Sequence, residues 1–221
     1  SNINYKLFSE QYSFYQHQTL TNVNNNGNTS LYQAYVQWKH RFSERIQLNA
    51  GAHLTYAGIN GKFYIEPRLS GEWKINPTQT LSFGTGIHSK MDAMSTYISY
   101  VSANSEKQFP NKSLDFSRGL HGVVGYNLNF LRDFRFKAEA YVQYLFSIPT
   151  GIDSAHNTYS ILNYDDGFVN MPLSSKGTGI NYGLEITLEK FFSHGYYFMF
   201  TTSLFDSRYK ALDNQWRNTA Y

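Results

Sequence analysis

The chain has 221 residues, enough for one large domain or two small ones. Lys+Arg 19 and Asp+Glu 16 give a net charge of +3, dispersed without a basic cluster, so a nucleic-acid role has no support. Cys 0 excludes a disulfide scaffold and a thiolate metal site, and no run of about 18 apolar residues exists that could cross a membrane as a helix. Aromatics reach 18%, with Tyr 19 and Phe 17, although the mean hydropathy is negative. That pairing suits a β-barrel, which hides membrane character in alternation rather than in bulk hydropathy. No secretory leader is visible at Ser1, so an exported form would be a mature chain or an internal fragment.

Taken in chain order, Tyr5 to Gln18 is aromatic and extended with weak periodicity. Leu31 to Phe42 alternates cleanly, with Tyr32, Ala34, Val36, Trp38 and Phe42 on one side and only His40 interrupting them. Ile46 to Tyr56 sets Leu48, Ala50, Ala52 and Leu54 against Gln47, Asn49, Gly51 and His53. Phe63 to Ile75 sets Ile65, Pro67, Leu69 and Trp73 against Glu66, Arg68, Glu72 and Lys74. Leu81, Phe83 and Ile87 mark the next strand, opposed by Ser82, Gly84, Gly86 and His88, and Leu120 to Phe130 follows. Phe134 to Ser147 has the strongest pattern: Phe134, Phe136, Ala138, Ala140, Val142 and Tyr144 face away from Arg135, Lys137, Glu139, Tyr141 and Gln143. It is also far longer than the usual strand of about five or six residues. Gly179 to Phe191 repeats the arrangement with Glu185 and Glu189 on the polar side, and Tyr196 to Tyr209 is β-rich with an ambiguous phase. The period-two test therefore predicts about nine strands.

The connections add a second signal. Short turns fall at Ser43-Glu44, Asn76 to Gln79, Leu131 to Asp133 and Ser193 to Gly195, and longer links at Thr19 to Ser30, Gly58 to Lys62, Met91 to Ser117 and Pro149 to Thr178. Short and long alternate throughout, as in up-and-down outer-membrane barrels with short periplasmic turns and long outer loops. Phe42, Trp73, Phe130, Phe134, Phe191, Phe192, Tyr196 and Tyr197 crowd the short-turn ends, as an interfacial girdle would. A soluble barrel or sandwich with its faces exchanged would show the same alternation, so strand length, girdle and loop asymmetry favour the membrane.

Several motifs carry a resemblance: Glu66-Pro67-Arg68-Leu69-Ser70, Leu81-Ser82-Phe83-Gly84, Phe109-Pro110-Asn111-Lys112-Ser113-Leu114, and Gly177 through Glu185 continuing to Leu188-Glu189-Lys190-Phe191. In this order and spacing they resemble the C-terminal part of the β-barrel of TonB-dependent outer-membrane receptors, in the group with a carboxypeptidase-regulatory-like N-terminal domain. The resemblance implies an all-β, antiparallel up-and-down transmembrane β-barrel of about 22 strands closed by a plug, of which this chain supplies a part. It also implies partners: outer-membrane lipid, the remainder of the barrel and its plug, the TonB complex reached through an N-terminal region, and a surface lipoprotein as a candidate. On this reading residues 1–221 belong to one barrel domain in the bacterial outer membrane, and neither a plug domain nor a TonB-contacting segment is identifiable in the chain.

Two sets of residues are functional candidates. Glu66, Arg68, Glu72, Lys74, Arg135, Lys137, Glu139, Glu185 and Glu189 are expected to face the lumen or a plug, because charge is tolerated there and costs a few kcal/mol against lipid. The alternative is that they pair among themselves across strands. Tyr97, Tyr100, Phe109, Tyr159, Tyr164 and Phe168 lie in the two longest links and look exposed, as ligand-contacting rings would; the alternative is that these loops pack on one another and cap the barrel. The histidines show no i, i+2 or i, i+4 metal spacing, Asp165-Asp166-Gly167 reads as a turn, and no catalytic motif stands out, so neither cofactor nor catalysis is expected. The leading reading is a solute receptor and transporter. A small self-contained outer-membrane barrel, structural or enzymatic, and a soluble β-barrel or sandwich used for binding remain as alternatives.

Overall fold

The computed structural model describes residues 2–13, 18–103, 106–163, 169 and 171–220. The chain is an all-β meander: β1 (Asn2–Ser13), β2 (Gln18–Arg41), β3 (Ile46–Ala57), β4 (Lys62–Asn76), β5 (Gln79–Lys90), a short helix α1 (Met94–Ile98), β6 (Val101–Ala103), β7 (Glu106–Gln108), β8 (Ser117–Phe130), β9 (Phe134–Gly151), β10 (Leu173–Ser193), β11 (Tyr196–Lys210) and β12 (Trp216–Asn218). All but β6 and β7 form one 10-stranded sheet in the order β1-β2-β3-β4-β5-β8-β9-β10-β11-β12, each pair antiparallel. Every step in the sheet is a step along the chain, with β6 and β7 set aside as a small hairpin within a loop.

Two expectations from the sequence are corrected. Thr19 to Ser30 is not a loop: it is the first half of β2, paired along its length with β1, and Leu31 to Arg41 continues the same strand against β3. Its polar, asparagine-rich stretch lacks alternation because this part of the strand is a two-stranded ribbon, with no wall for one face to follow. The link at residues 58–61 is not long either. It is a four-residue turn in which Gly61, at φ +68°, donates its N–H to the Ala57 carbonyl at 2.8 Å. The direction of each crossing still alternates as expected, with tight turns at 42–45, 77–78, 131–133 and 194–195 on one rim. At the third of these, a three-residue connection, Leu131 and Arg132 both take left-handed φ and Asp133 donates its N–H to the Leu131 carbonyl at 2.7 Å.

The sides of the sheet are unequal. On one face Val36, Phe63, Ile65, Leu69, Phe83, Val124, Val142, Leu184, Phe200 and Leu204 form an exposed apolar band, with Ile65 57% and Leu204 69% exposed. The register also settles the phase of β11: Phe198, Phe200 and Leu204 belong to this band, and Thr201, Ser203 and Ser207 to the polar face. Aromatic contacts rim the band at the short-turn end, where Phe130 and Phe134 lie 5.4 Å apart, Phe134 and Phe198 6.1 Å, and His40 stacks on Trp38 and meets Phe42 edge-to-face. A second set lies at the other end, with Tyr32, Tyr56 and Phe63 in contact and Tyr144 beside Phe146. The climb from Phe134 to Tyr144, at about 3.3 Å per residue and a tilt of about 40°, rises about 25 Å, the height of the apolar band on an outer-membrane barrel.

The buried core lies on the other face. Ala57, Ile59, Tyr64, Tyr97, Ile98, Leu114, Phe116, Tyr159, Val169 and Leu173 pack together where the described residues of the segments 91–116 and 152–172 fold over the polar side of the wall. Tyr64 projects from that side of β4 and stacks on Phe116 at 4.2 Å, and its hydroxyl accepts the Phe116 N–H at 3.0 Å and an Asn60 Nδ2 hydrogen at 2.7 Å. The two loops are tied by Asn111, which is fully buried: its Nδ2 donates to the Met171 carbonyl at 3.0 Å and its Oδ1 accepts the Leu173 N–H at 2.8 Å. The loops therefore form a folded cap.

Asn111→Ala would leave both backbone groups unpaired in the dry cap, at about 1–3 kcal/mol for each stranded group. The expected outcome is protease cleavage within residues 91–116 and 152–172 while the strands stay resistant; a cap as resistant as the parent's would show that Asn111 does not hold it.

Candidate functional site

All the candidate charges point to the capped, polar face, because each shares the parity of Glu66 in the strand register. Toward the short turns, Glu72 and Lys74 lie on β4, and Arg135 stands opposite Glu189 with Nη2 to Oε2 at 2.5 Å. Lys137 reaches Glu139 along the same strand, also at 2.5 Å, while Glu139 and Glu185 face each other directly across β9 and β10. Like charges in direct cross-strand opposition repel, and Lys137 relieves one side of that repulsion. Most of this set is thus engaged in pairs.

Nearer the cap, the polar face carries a belt that the sequence alone did not assemble. One register row runs Gln37, Gly51, Arg68, Gly86, His121, Gln143, Asn181 and Ser207 from β2 to β11. Its second half is hydrogen-bonded in one direction: the Ser207 hydroxyl donates to Asn181 Oδ1 at 2.6 Å, Asn181 Nδ2 to Gln143 Oε1 at 2.7 Å, and Gln143 Nε2 meets His121 Nε2 at 3.1 Å. With that polarity His121 Nε2 is an acceptor, so its proton sits on Nδ1. The His88 ring stands edge-on to His121 with centroids 4.7 Å apart. In the next row Glu66, 4% exposed, receives His53 Nδ1 at 3.0 Å, Arg68 Nη2 at 3.1 Å and the Ser89 N–H at 3.0 Å. The glycines let the row lie flat. A Cβ on Gly51 would come 2.9 Å from the Val36 carbonyl oxygen, and one on Gly86 3.0 Å from that of Pro67.

The belt borders open space on both sides. A trough of about 640 Å³ is lined by Tyr35, His53, Arg68, His88 and His121, and a second space of about 370 Å³ under the cap is lined by His88, Lys90, Asp92, His121 and Gln143. His88 and His121 stand where the two meet. Among the described residues no group of three His, Asp or Glu side chains converges as a metal site. What the belt offers instead is a fixed array of hydrogen-bonding groups beside an open trough.

The loop aromatics divide. Tyr97 and Tyr159, expected at exposed positions, are instead 0% and 7% exposed members of the cap core. Burial raises the Tyr97 phenol well above its ordinary range. Tyr100 and Phe109 flank the β6–β7 hairpin in edge-to-face contact at 5.9 Å, with Lys107 Nζ 4.4 Å from the Tyr100 ring centre. Tyr164, Phe168 and the Asp165-Asp166-Gly167 stretch lie outside the described residues. Sequence reasoning missed the belt because neighbours such as His88 and His121 come from different strands. Their common parity on polar faces was the available sign.

No family model and no curated protein matches the sequence. Among solved structures the chain is similar to the siderophore receptor PirA from Pseudomonas aeruginosa, at 13% identity and a TM-score of 0.60, over 83% of this chain and 37% of that one. It is likewise similar to the outer membrane transporter YddB from Escherichia coli, at 15% identity and a TM-score of 0.59, over 90% of this chain and 28% of that one. The chain shares the fold of part of the β-barrel wall of these two outer-membrane proteins and spans about a third of their length.

Two predictions follow from the cap and belt. Glu66→Gln weakens three hydrogen bonds that a carboxylate accepts while buried, so the sheet should lose about 2 kcal/mol, read as a lower thermal midpoint in micelles; an unchanged midpoint would count against a charged Glu66. Asp92, in the cap, accepts both contacts of the Ser117 hydroxyl, at 2.8 and 3.0 Å, and burial raises its carboxyl above the usual range. A raised folded-state value means its contribution is complete below about pH 3.9 and fades as pH rises through that value. Asp92→Asn, which keeps the acceptor and cannot ionise, should gain stability relative to the parent at pH 7 and not at pH 4. Thermal midpoints at the two pH values check it, and a pH-independent difference would refute it.

Proposed function

We propose that the chain is part of the wall of a TonB-dependent outer-membrane transporter, which admits a solute through a plugged barrel using energy delivered from the inner membrane. The observation that carries this reading is the placement of the cap. The long loops bury themselves on the polar face and leave the apolar band bare, the reverse of a soluble barrel, whose apolar face would be its packed interior. The motif resemblance around Glu66 to Ser70 and Gly177 to Phe191 supports the family, and the likeness to outer-membrane receptors supports the architecture. A self-contained small barrel is less well supported, since the sheet order ends on β1 and β12 rather than joining them among the described residues.

On this reading the interior charges meet a plug. The opposed Glu139 and Glu185, with Glu72 on β4, present carboxylates that suit a cationic plug surface, whereas the cross-strand pair Arg135–Glu189 holds β9 and β10 in register. The rim bearing Tyr100 and Phe109 faces the outside, where a surface lipoprotein or the solute itself would arrive. The function is transport, with no covalent step assigned to any residue.

The test uses the full-length protein in its own cell. It is expected in the outer-membrane fraction, soluble only in detergent, and crosslinked to TonB in vivo. Uptake of whichever nutrient the deletion strain fails to acquire should stop on adding a protonophore. Monodisperse purification without detergent would sink the membrane assignment, and protonophore-insensitive uptake would sink the energised mechanism.

A further inference from the structure

We propose that the belt contains an anion-binding site, formed by Arg68, His88 and His121, that takes a carboxylate or phosphate group of a passing solute. It rests on reading the polar face as the solute's path. Arg68 spends one Nη2 hydrogen on Glu66, and its side chain is 51% exposed, so the rest of its guanidinium fork faces the trough. Such a fork matches two oxygens of a carboxylate or phosphate at once. His88 is exposed, and its recorded partner is the edge-on His121 ring, which leaves its N–H available to a ligand. Both histidines and Arg68 line the same trough.

The local carboxylates are already occupied. Glu66 has its two oxygens filled by His53, Arg68 and the Ser89 N–H, and Asp92 is bound by Ser117 on the cap side. Donors therefore outnumber free acceptors at this level of the wall, the reverse of what a cation site needs. The flat glycine floor at Gly51 and Gly86 gives the anion room to approach Arg68. His88 and His121, at the junction with the space under the cap, place the site where a solute leaving the loops first meets the wall.

The experiment is calorimetric titration of the purified full-length protein in detergent, with citrate in one arm and inorganic phosphate in the other, at fixed ionic strength. The parent is expected to bind at least one of the two, and the stronger arm identifies the oxyanion class. Arg68→Ala and the double variant His88→Gln/His121→Gln should each weaken binding at least tenfold, and Arg135→Ala, on the same face but near the short turns, should not. If Arg68→Ala fails to fold, judged by heat-modifiable migration, His88→Gln alone carries the comparison, because among the described residues that ring meets His121 edge-on and donates no hydrogen bond that ties strands together. The proposal is overturned if the parent binds neither anion, if binding vanishes in 0.3 M sodium chloride as diffuse attraction would, as estimated from screening, or if the variants bind like the parent. None of these outcomes bears on protonophore-sensitive uptake, so the site and the transport reading fail separately.

Discussion

The whole arrangement depends on one constraint: the backbone N–H and C=O groups of each long strand must find their partners in the strands beside it. The meander meets it by pairing each strand with the ones beside it in the chain, from β1 to β12. Once the backbone is satisfied in this way, the side chains are free to differ between faces, and β4 shows the contrast. Phe63 and Ile65 stand bare on one side of β4, while Tyr64 and Glu66 between them are almost fully buried on the other. The cap chooses the polar side because Tyr64, Asn60 and Lys62 offer hydrogen bonds to Phe116, Leu114 and Asp115 that the apolar side could not supply.

A second level of order rests on that sidedness. The belt exists because register aligns Arg68, Gly86, His121, Gln143, Asn181 and Ser207, residues far apart in sequence. Its hydrogen bonds run one way, so the tautomer of His121 is fixed by a hydroxyl three strands distant. Lys190 shows the same principle at the opposite rim. It sits on the apolar parity of β10, yet is 3% exposed, because Nζ donates to Ser193 Oγ at 2.7 Å and to the Ser193 and Tyr196 carbonyls. Ser193 in turn donates to Asp133 at 2.6 Å, which ties one short turn to the next.

How much of this could be read from the sequence follows from the range of each signal. Alternation is local, so the wall strands and the shared face of Glu66, Arg135 and Glu189 were legible from single segments. Residues 19–30 were misread as a link because a strand paired only with β1 has no buried face to impose a period. The turn at 58–61 was overestimated because nothing in its composition reports that Gly61 closes it in four residues. Tyr97 and Tyr159 looked exposed in long polar links, and only the folding of two loops onto each other buries them. The belt was the least legible, since it is a property of register between strands, and a one-residue slip in any pair would dissolve it.

The strictly sequential pairing of the sheet has a kinetic side. Because every strand of the wall binds its predecessor in the chain, each new hairpin finds its template already in place, and the search is short despite the size of the sheet. The exceptions are the excursions between β5 and β8 and between β9 and β10, where residues 91–116 and 152–172 must be set aside while the wall closes beneath them. Growth of the sheet is therefore a zipper with two paused teeth, and the cap is the last part to set.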